Sequence, residues 1–186
     1  LVFAGHKNLY SNFGVGGFIY NSDIELKPFI TGGTGSDSLN HNMPDDMPVK
    51  YEAASHDVIA IASLNASLEW LEKIGIENIF NHKKQLTKYA LEKLSQFKSI
   101  KTYAPSDENK HIAVISITHK NYRPEELADI LDSDFDIAVR CGYHCAPYVH
   151  KLIGTEVTNG TVRISLGFFN KQSDIDAFID ALEELE

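Results

Sequence analysis

Four short segments of the sequence hold residue types that could do chemistry. The densest is Arg140-Cys141-Gly142-Tyr143-His144-Cys145-Ala146-Pro147. A cysteine beside a histidine, near an arginine and ahead of an expected helix, could ionise readily and act as a thiolate nucleophile. Two other readings compete. Cys141, His144, Cys145 and His150 are four soft or borderline ligands, which suggests zinc, although the spacing is not a standard knuckle and no second cysteine pair exists. The plainest alternative is a half-buried cysteine in a helix turn.

The other three segments are less distinctive. Phe3-Ala4-Gly5-His6-Lys7 ends an apolar stretch and precedes a glycine-rich run, so Lys7 could be a desolvated amine of the kind that condenses with carbonyl compounds. A surface lysine after a strand would look the same. In Thr161-Val162-Arg163-Ile164-Ser165-Leu166, Arg163 shares a strand face with Thr161 and Ser165, where a guanidinium could clamp a carboxylate or simply face solvent. In Tyr51-Glu52-Ala53-Ala54-Ser55-His56-Asp57, either Ser55 or Asp57 could cap the following helix, and the same groups could hold an anion.

The elements that must position these residues follow from periodicity. Seven of the twelve glycines fall within the first 35 residues, around a short strand predicted over Gly16–Tyr20 and a loop over Thr31–Leu39. Asn40–Pro48 reads as an exposed excursion. Helical spacing of Ile61, Leu64, Leu68 and Leu71 predicts a helix over Val58–Ile74, closed by Gly75, and a second runs from about Ile76 to Phe97. Strands are predicted at Ile100–Tyr103, His111–Ile117, Phe135–Arg140 and Thr161–Leu166. Helices are predicted at Arg123–Leu131, at about Cys145–Ile153, and after an N-cap at Ser173 with Asp176 three residues on. A boundary near Gly75 separates residues 1–75 from an α+β unit of residues 76–186.

Composition narrows the function classes. The 186 residues are 43% hydrophobic and carry a formal net charge of -9, which disfavours non-specific binding of nucleic acid or anionic membranes. No apolar run approaches the ~20 residues of a membrane-spanning helix. With two cysteines and no basic-then-apolar leader, the expected setting is the cytoplasm. The opening Leu1-Val2-Phe3-Ala4 reads as a strand already under way, which leads to the expectation of a longer parent chain.

Singly, none of the four segments displaces its ordinary reading, but their order does. A-G-H-K-x-L, G-x-G-G, G-G-T-G-S, Y-E-A-x-S before a helix, R-x-G-x-H-C-A and T-V-R-x-S-x-G together resemble the class V aminotransferase family along essentially the whole chain. R-x-G-x-H-C-A is similar to the cysteine desulfurase and selenocysteine lyase branch.

The resemblance implies the carboxy-terminal half of a pyridoxal 5'-phosphate enzyme of fold type I, the aspartate aminotransferase-like fold. Residues 1–75 would then end the large cofactor domain, and residues 76–186 would be the small domain. Lys7 corresponds to the lysine that holds pyridoxal phosphate, His6 to a histidine at the cofactor phosphate, and Ser55 to a hydroxyl that reaches a phosphate in the partner subunit. Arg163 corresponds to the arginine on the substrate carboxylate, and Cys145 to the cysteine that becomes a persulfide.

The implied reaction takes L-cysteine to L-alanine in a full-length homodimer that passes sulfur to an acceptor protein; another class V aminotransferase or a selenocysteine lyase is the alternative. This chain by itself is expected to be inactive. Ala4 stands where a serine is usual, Ser11-Asn12-Phe13 replaces Gly-Pro-x, and Ala54, His56 and Asp57 replace Gly, Pro and Asn.

Overall fold

The computed structural model describes residues 1–21, 23–105, 107 and 110–186. These form two compact units, Leu1–Gly75 and Ile76–Glu186.

In the first unit, β1 (Val2–Ala4) pairs antiparallel with β2 (Gly16–Phe18). The register sets Phe3 opposite Gly17, where the absence of a side chain leaves room for the Phe3 ring. A long irregular stretch follows, and then α1 (Val58–Ile74). Asp57, not Ser55, caps α1 by accepting from the Ala60 N–H at 3.0 Å. The loop between β1 and β2 lies on α1: Asn12 N–H donates to Ser63 Oγ at 2.9 Å, and the Tyr10 ring tilts against Trp70. Gly14, at φ +108°, allows the close approach, since a Cβ there would stand 2.8 Å from the Asp57 carboxylate.

The second unit is a four-stranded antiparallel sheet with helices packed on it. Its elements are α2 (Ile76–Leu94), β3 (Ile100–Tyr103), β4 (Val114–His119), α3 (Pro124–Phe135), β5 (Arg140–Gly142), α4 (Pro147–Ile153), β6 (Thr161–Ser165) and α5 (Gln172–Glu184). The strand order is β3-β4-β6-β5.

Period-two alternation decides which face of the sheet is covered. Ile115 and Ile117 of β4 lie opposite Ile164 and Val162 of β6, and Cys141 of β5 lies beside Val162 on the same face. That face packs with Leu86, Ala90 and Leu94 of α2, Leu127 and Leu131 of α3, and Ile175, Phe178, Ile179 and Leu182 of α5. Burying each such side chain contributes ~1.5–3 kcal/mol. The other face carries a row across the sheet: Tyr103, Ser116, Arg163 and Arg140.

Several boundaries differ from the sequence reading, each for a local reason. Phe135 ends α3 rather than opening a strand, because Asp136 turns left-handed (φ 55°) and stops the helix. Only Arg140–Gly142 then pairs as β5, since β6 presents partners to those three residues. The His111–Ile117 strand shifts to Val114–His119. Helix α4 starts at Pro147, not Cys145, because His144 and Cys145 are both left-handed. Ser173 does not cap α5; the helix starts at Gln172, and Asp174 accepts from the Lys171 N–H at 3.1 Å.

The tightest point of the sheet is backbone against backbone. A Cβ on Gly160, which has φ +99°, would stand 2.2 Å from the Gly142 carbonyl oxygen, across the end of the β5–β6 ladder. Gly160→Ala should therefore cost at least about 2 kcal/mol in denaturant unfolding. Gly142→Ala meets open space and should cost about 1 kcal/mol from its positive φ alone. Equal stability of the two variants would contradict this contact.

Candidate active site

The Cys145 site is built on the end of β5. Gly142 (φ 92°) turns the chain out of the strand. His144 (φ 53°) and Cys145 (φ 61°) follow as consecutive left-handed residues with side chains. Such a conformation costs ~1–3 kcal/mol per residue. The Ala146 N–H closes the turn on the Tyr143 carbonyl at 2.8 Å, and Pro147 opens α4. Proline suits that first helical position because its missing N–H would have no partner there. The turn leaves Cys145 exposed and brings it back toward its own strand, where Arg140 Nη2 donates to Cys145 Sγ at 3.2 Å.

His144 turns the other way. Its Nε2 lies 2.9 Å from the hydroxyl of Thr161, which is fully buried on β6, and its ring is 5.5 Å from that of His150. His150 is itself held by Thr155 through Nδ1 at 2.8 Å. Burial pushes the His144 ring down to about 4, with Arg163, the neighbouring His150 and Arg140 acting in the same direction. His144 is therefore neutral at pH 7.

Arg163 stands two residues beyond Thr161 on the same strand face and directly opposite Arg140. Its Nε is buried and lacks a hydrogen-bond partner, so the guanidinium is only partly solvated. Cys141 points to the helix-covered face beside Val162, away from Arg140 and the Cys145 thiol. The four candidate zinc ligands thus do not converge, and among the described residues no group of three His, Cys, Asp or Glu could hold a metal.

Lys7, His6 and Ser55 belong to the first unit. The Gly5–Ser11 loop is closed by Gly5 N–H to Val15 O at 2.9 Å, Ser11 N–H to Gly5 O at 3.0 Å and Tyr10 N–H to Lys7 O at 3.0 Å. Lys7 lines a groove of about 520 Å³ walled by Phe3, Ala4, Leu9, Leu64 and Leu68. Lys7 itself is exposed, at the rim of this apolar groove. His6 stacks on Phe13 with ring centroids 4.7 Å apart.

Ser55 is exposed, and the cap of α1 beside it is taken by the carboxylate of Asp57, so the helix end already has its own anion. Ala54, where the resemblance expects glycine, has φ 71° and donates its N–H to Gly33 O at 2.8 Å. The backbone keeps a glycine conformation under an alanine side chain. Gly160 and the contact of Thr161 with His144 were not singled out in the sequence, whereas Arg140 was noted only as an arginine near the cysteine. The arginine that opens the R-x-G-x-H-C-A motif was the one available signal.

A family model described as Aminotransferase class-V matches residues 1–178. The chain is 33% identical, over its whole length, to a probable cysteine desulfurase of Pyrococcus abyssi, of which it covers 46%. It is 30% identical over 98% of its length to another from Methanothermobacter thermautotrophicus, again covering 46% of that protein. Its fold matches the apo structure of a cysteine desulfurase from Thermococcus onnurineus with a TM-score of 0.87 and 29% identity, over 99% of this chain and 46% of that one. The chain spans about half the length of the curated relatives it matches.

The depressed His144 generates a pH prediction. The native ring gains a proton only near 4, whereas an unfolded histidine does so near its ordinary 6.5. The stability from the neutral ring is complete above about pH 6.5 and is lost as pH falls toward 4. Burial lowers His111 and His119 in the same direction. The urea midpoint should fall over this window less steeply in His144→Asn than in wild type; identical slopes would contradict the assignment.

Proposed function

The chain belongs to the class-V aminotransferase family, and from that premise we propose that it is the carboxy-terminal half of a pyridoxal-phosphate-dependent cysteine desulfurase. The observation that carries this reading is the constellation at the end of β5. An exposed Cys145 sits in a strained turn, bonded to Arg140, and Arg140 lies opposite Arg163 across the β5–β6 register. On this reading Cys145 is the nucleophile and Arg163 the carboxylate clamp.

The first unit is read as the tail of the large cofactor domain and the second as the small domain. A two-stranded sheet of three-residue strands that leaves Leu1, Val2 and Ile19 exposed supports this, because such a sheet is marginal by itself. Lys7, at the rim of its apolar groove, is the residue that would hold pyridoxal phosphate, with His6 beside it for the phosphate, whereas the Asp57 carboxylate on the α1 N-terminus disfavours a phosphate at Ser55. The chemistry the cofactor supplies when bound is an electron sink for bonds at the substrate's Cα.

This chain's residues do the rest. The Lys7 amine takes and returns a proton at Cα, as a general base held beside the substrate. Arg163 binds the α-carboxylate through charge-assisted hydrogen bonds and fixes the substrate's orientation. The Cys145 thiolate attacks the substrate sulfur: a bond forms between the two sulfurs, the Cβ–S bond breaks, and its carbon ends as a C–H. The net change is L-cysteine plus Cys145 thiol to L-alanine plus Cys145 persulfide, with carbon reduced and sulfur oxidised. A sulfur-acceptor protein and a homodimeric parent in the cytoplasm complete the proposal.

In the full-length protein, Cys145→Ser should abolish sulfide release from L-cysteine while leaving cofactor absorbance intact, whereas Cys141→Ser, on the helix-covered face, should retain most activity. Sulfide release by Cys145→Ser at the wild-type rate would remove the desulfurase reading. Arg163→Ala should weaken cysteine binding roughly ten- to a hundred-fold, for the loss of ~1.5–3 kcal/mol, without loosening the cofactor. An unchanged apparent affinity would return Arg163 to a structural role.

A further inference from the structure

Arg140 has no part in the reaction as assigned above, yet it contacts the reacting atom. We infer that Arg140 is the counter-cation of Cys145, holding the thiol in its anionic, nucleophilic form. The inference rests on the reading of Cys145 as nucleophile and adds to it the group that makes the sulfur reactive. A guanidinium is charged at every relevant pH, and an N–H donor in contact with sulfur favours thiolate over thiol. Arg140 Nη2 makes that contact at 3.2 Å.

The backbone shows what holds the pair together. Cys145 is five residues beyond Arg140, and a continuing strand would carry it well away. Positive φ at Gly142, His144 and Cys145 instead folds the chain back, and two of the three residues are not glycine. The strain is thus located at the turn that returns the sulfur to the arginine.

The other possible sources of positive potential are less well placed. The ring of His144 is turned inward onto Thr161 and is neutral at pH 7, which removes the usual cysteine–histidine ion pair. Helix α4 begins at Pro147, is seven residues long and has Ala146 as its N-cap, so Cys145 does not cap it. His150, on α4, is buried against Thr155 and His144. Arg163 is a further cation on the same face. It lies directly opposite Arg140, a like-charge pairing that is unfavourable unless anions sit nearby. A thiolate on Arg140 and a carboxylate on Arg163 would neutralise one guanidinium each.

The test needs neither cofactor nor substrate. The 186-residue chain is alkylated with iodoacetamide across pH 5 to 10, and peptide mass spectrometry separates Cys145 from Cys141. Arg140→Gln should raise the midpoint of Cys145 alkylation by about one pH unit. Arg140→Lys should keep it near wild type, and His144→Gln should leave it there. Arg140 is exposed, so the variants should keep the wild-type circular dichroism spectrum. An unchanged midpoint in a folded Arg140→Gln chain overturns the inference, as does a larger shift in His144→Gln than in Arg140→Gln. Either result leaves the sulfide assay on Cys145→Ser to be judged independently, because the two experiments share no readout.

Discussion

The pairing of β5 with β6 is the constraint on which the candidate site depends. Three residues of β5 pair with three of β6, and the pairing closes where Gly160 lies against the Gly142 carbonyl without room for a Cβ. The register places Arg140 opposite Arg163 and Cys141 beside Val162. A slip of one residue would turn Arg140 toward the apolar helices and Cys141 toward the polar face. The same end of β5 launches the turn that returns Cys145 to Arg140. Cys145, Arg140 and Arg163 are therefore positioned by one short stretch of antiparallel backbone.

Burial on the opposite face keeps that stretch rigid. Ile115, Ile117 and Val162 are fully buried under α2, α3 and α5, so the strands have no freedom to slide. The polar face can then carry charge at a cost offset by that core. Two adjacent guanidiniums and a neutral, half-buried His144 give it a positive, acceptor-poor character. Such a face favours anions.

The first unit follows a different logic. Its described core is thin, with Ala60 and Leu71 as the buried residues of α1 besides Ser67, and its order comes from loop contacts. Asn12 on Ser63, Tyr10 against Trp70 and the close approach of Gly14 to Asp57 tie the Lys7 loop to α1. Ala54 in a left-handed conformation shows that the turn geometry persists where the side chain no longer suits it. The apolar walls around Lys7 are therefore shaped by α1 as much as by the loop that carries the lysine.

Much of this was legible in the residues alone. The 3.6-residue spacing of α2 and the alternation of β6 follow directly from which side chains must leave water, and the ordered motifs pointed to one family. The sequence also determined that Cys145 and Arg163 were the residues to examine. Their surroundings were decided by tertiary structure. Strand register is a long-range choice, so nothing local could set Arg140 opposite Arg163 or turn Cys141 into the covered face. The strained turn overrode the helical reading of Cys145, because Arg140 and the closing Gly142 end of the sheet act on it from outside the segment. His144 looked like the natural base beside a cysteine. Its burial against Thr161, on a strand that lies beyond the next helix in the chain, made it neutral and left the charge to arginine.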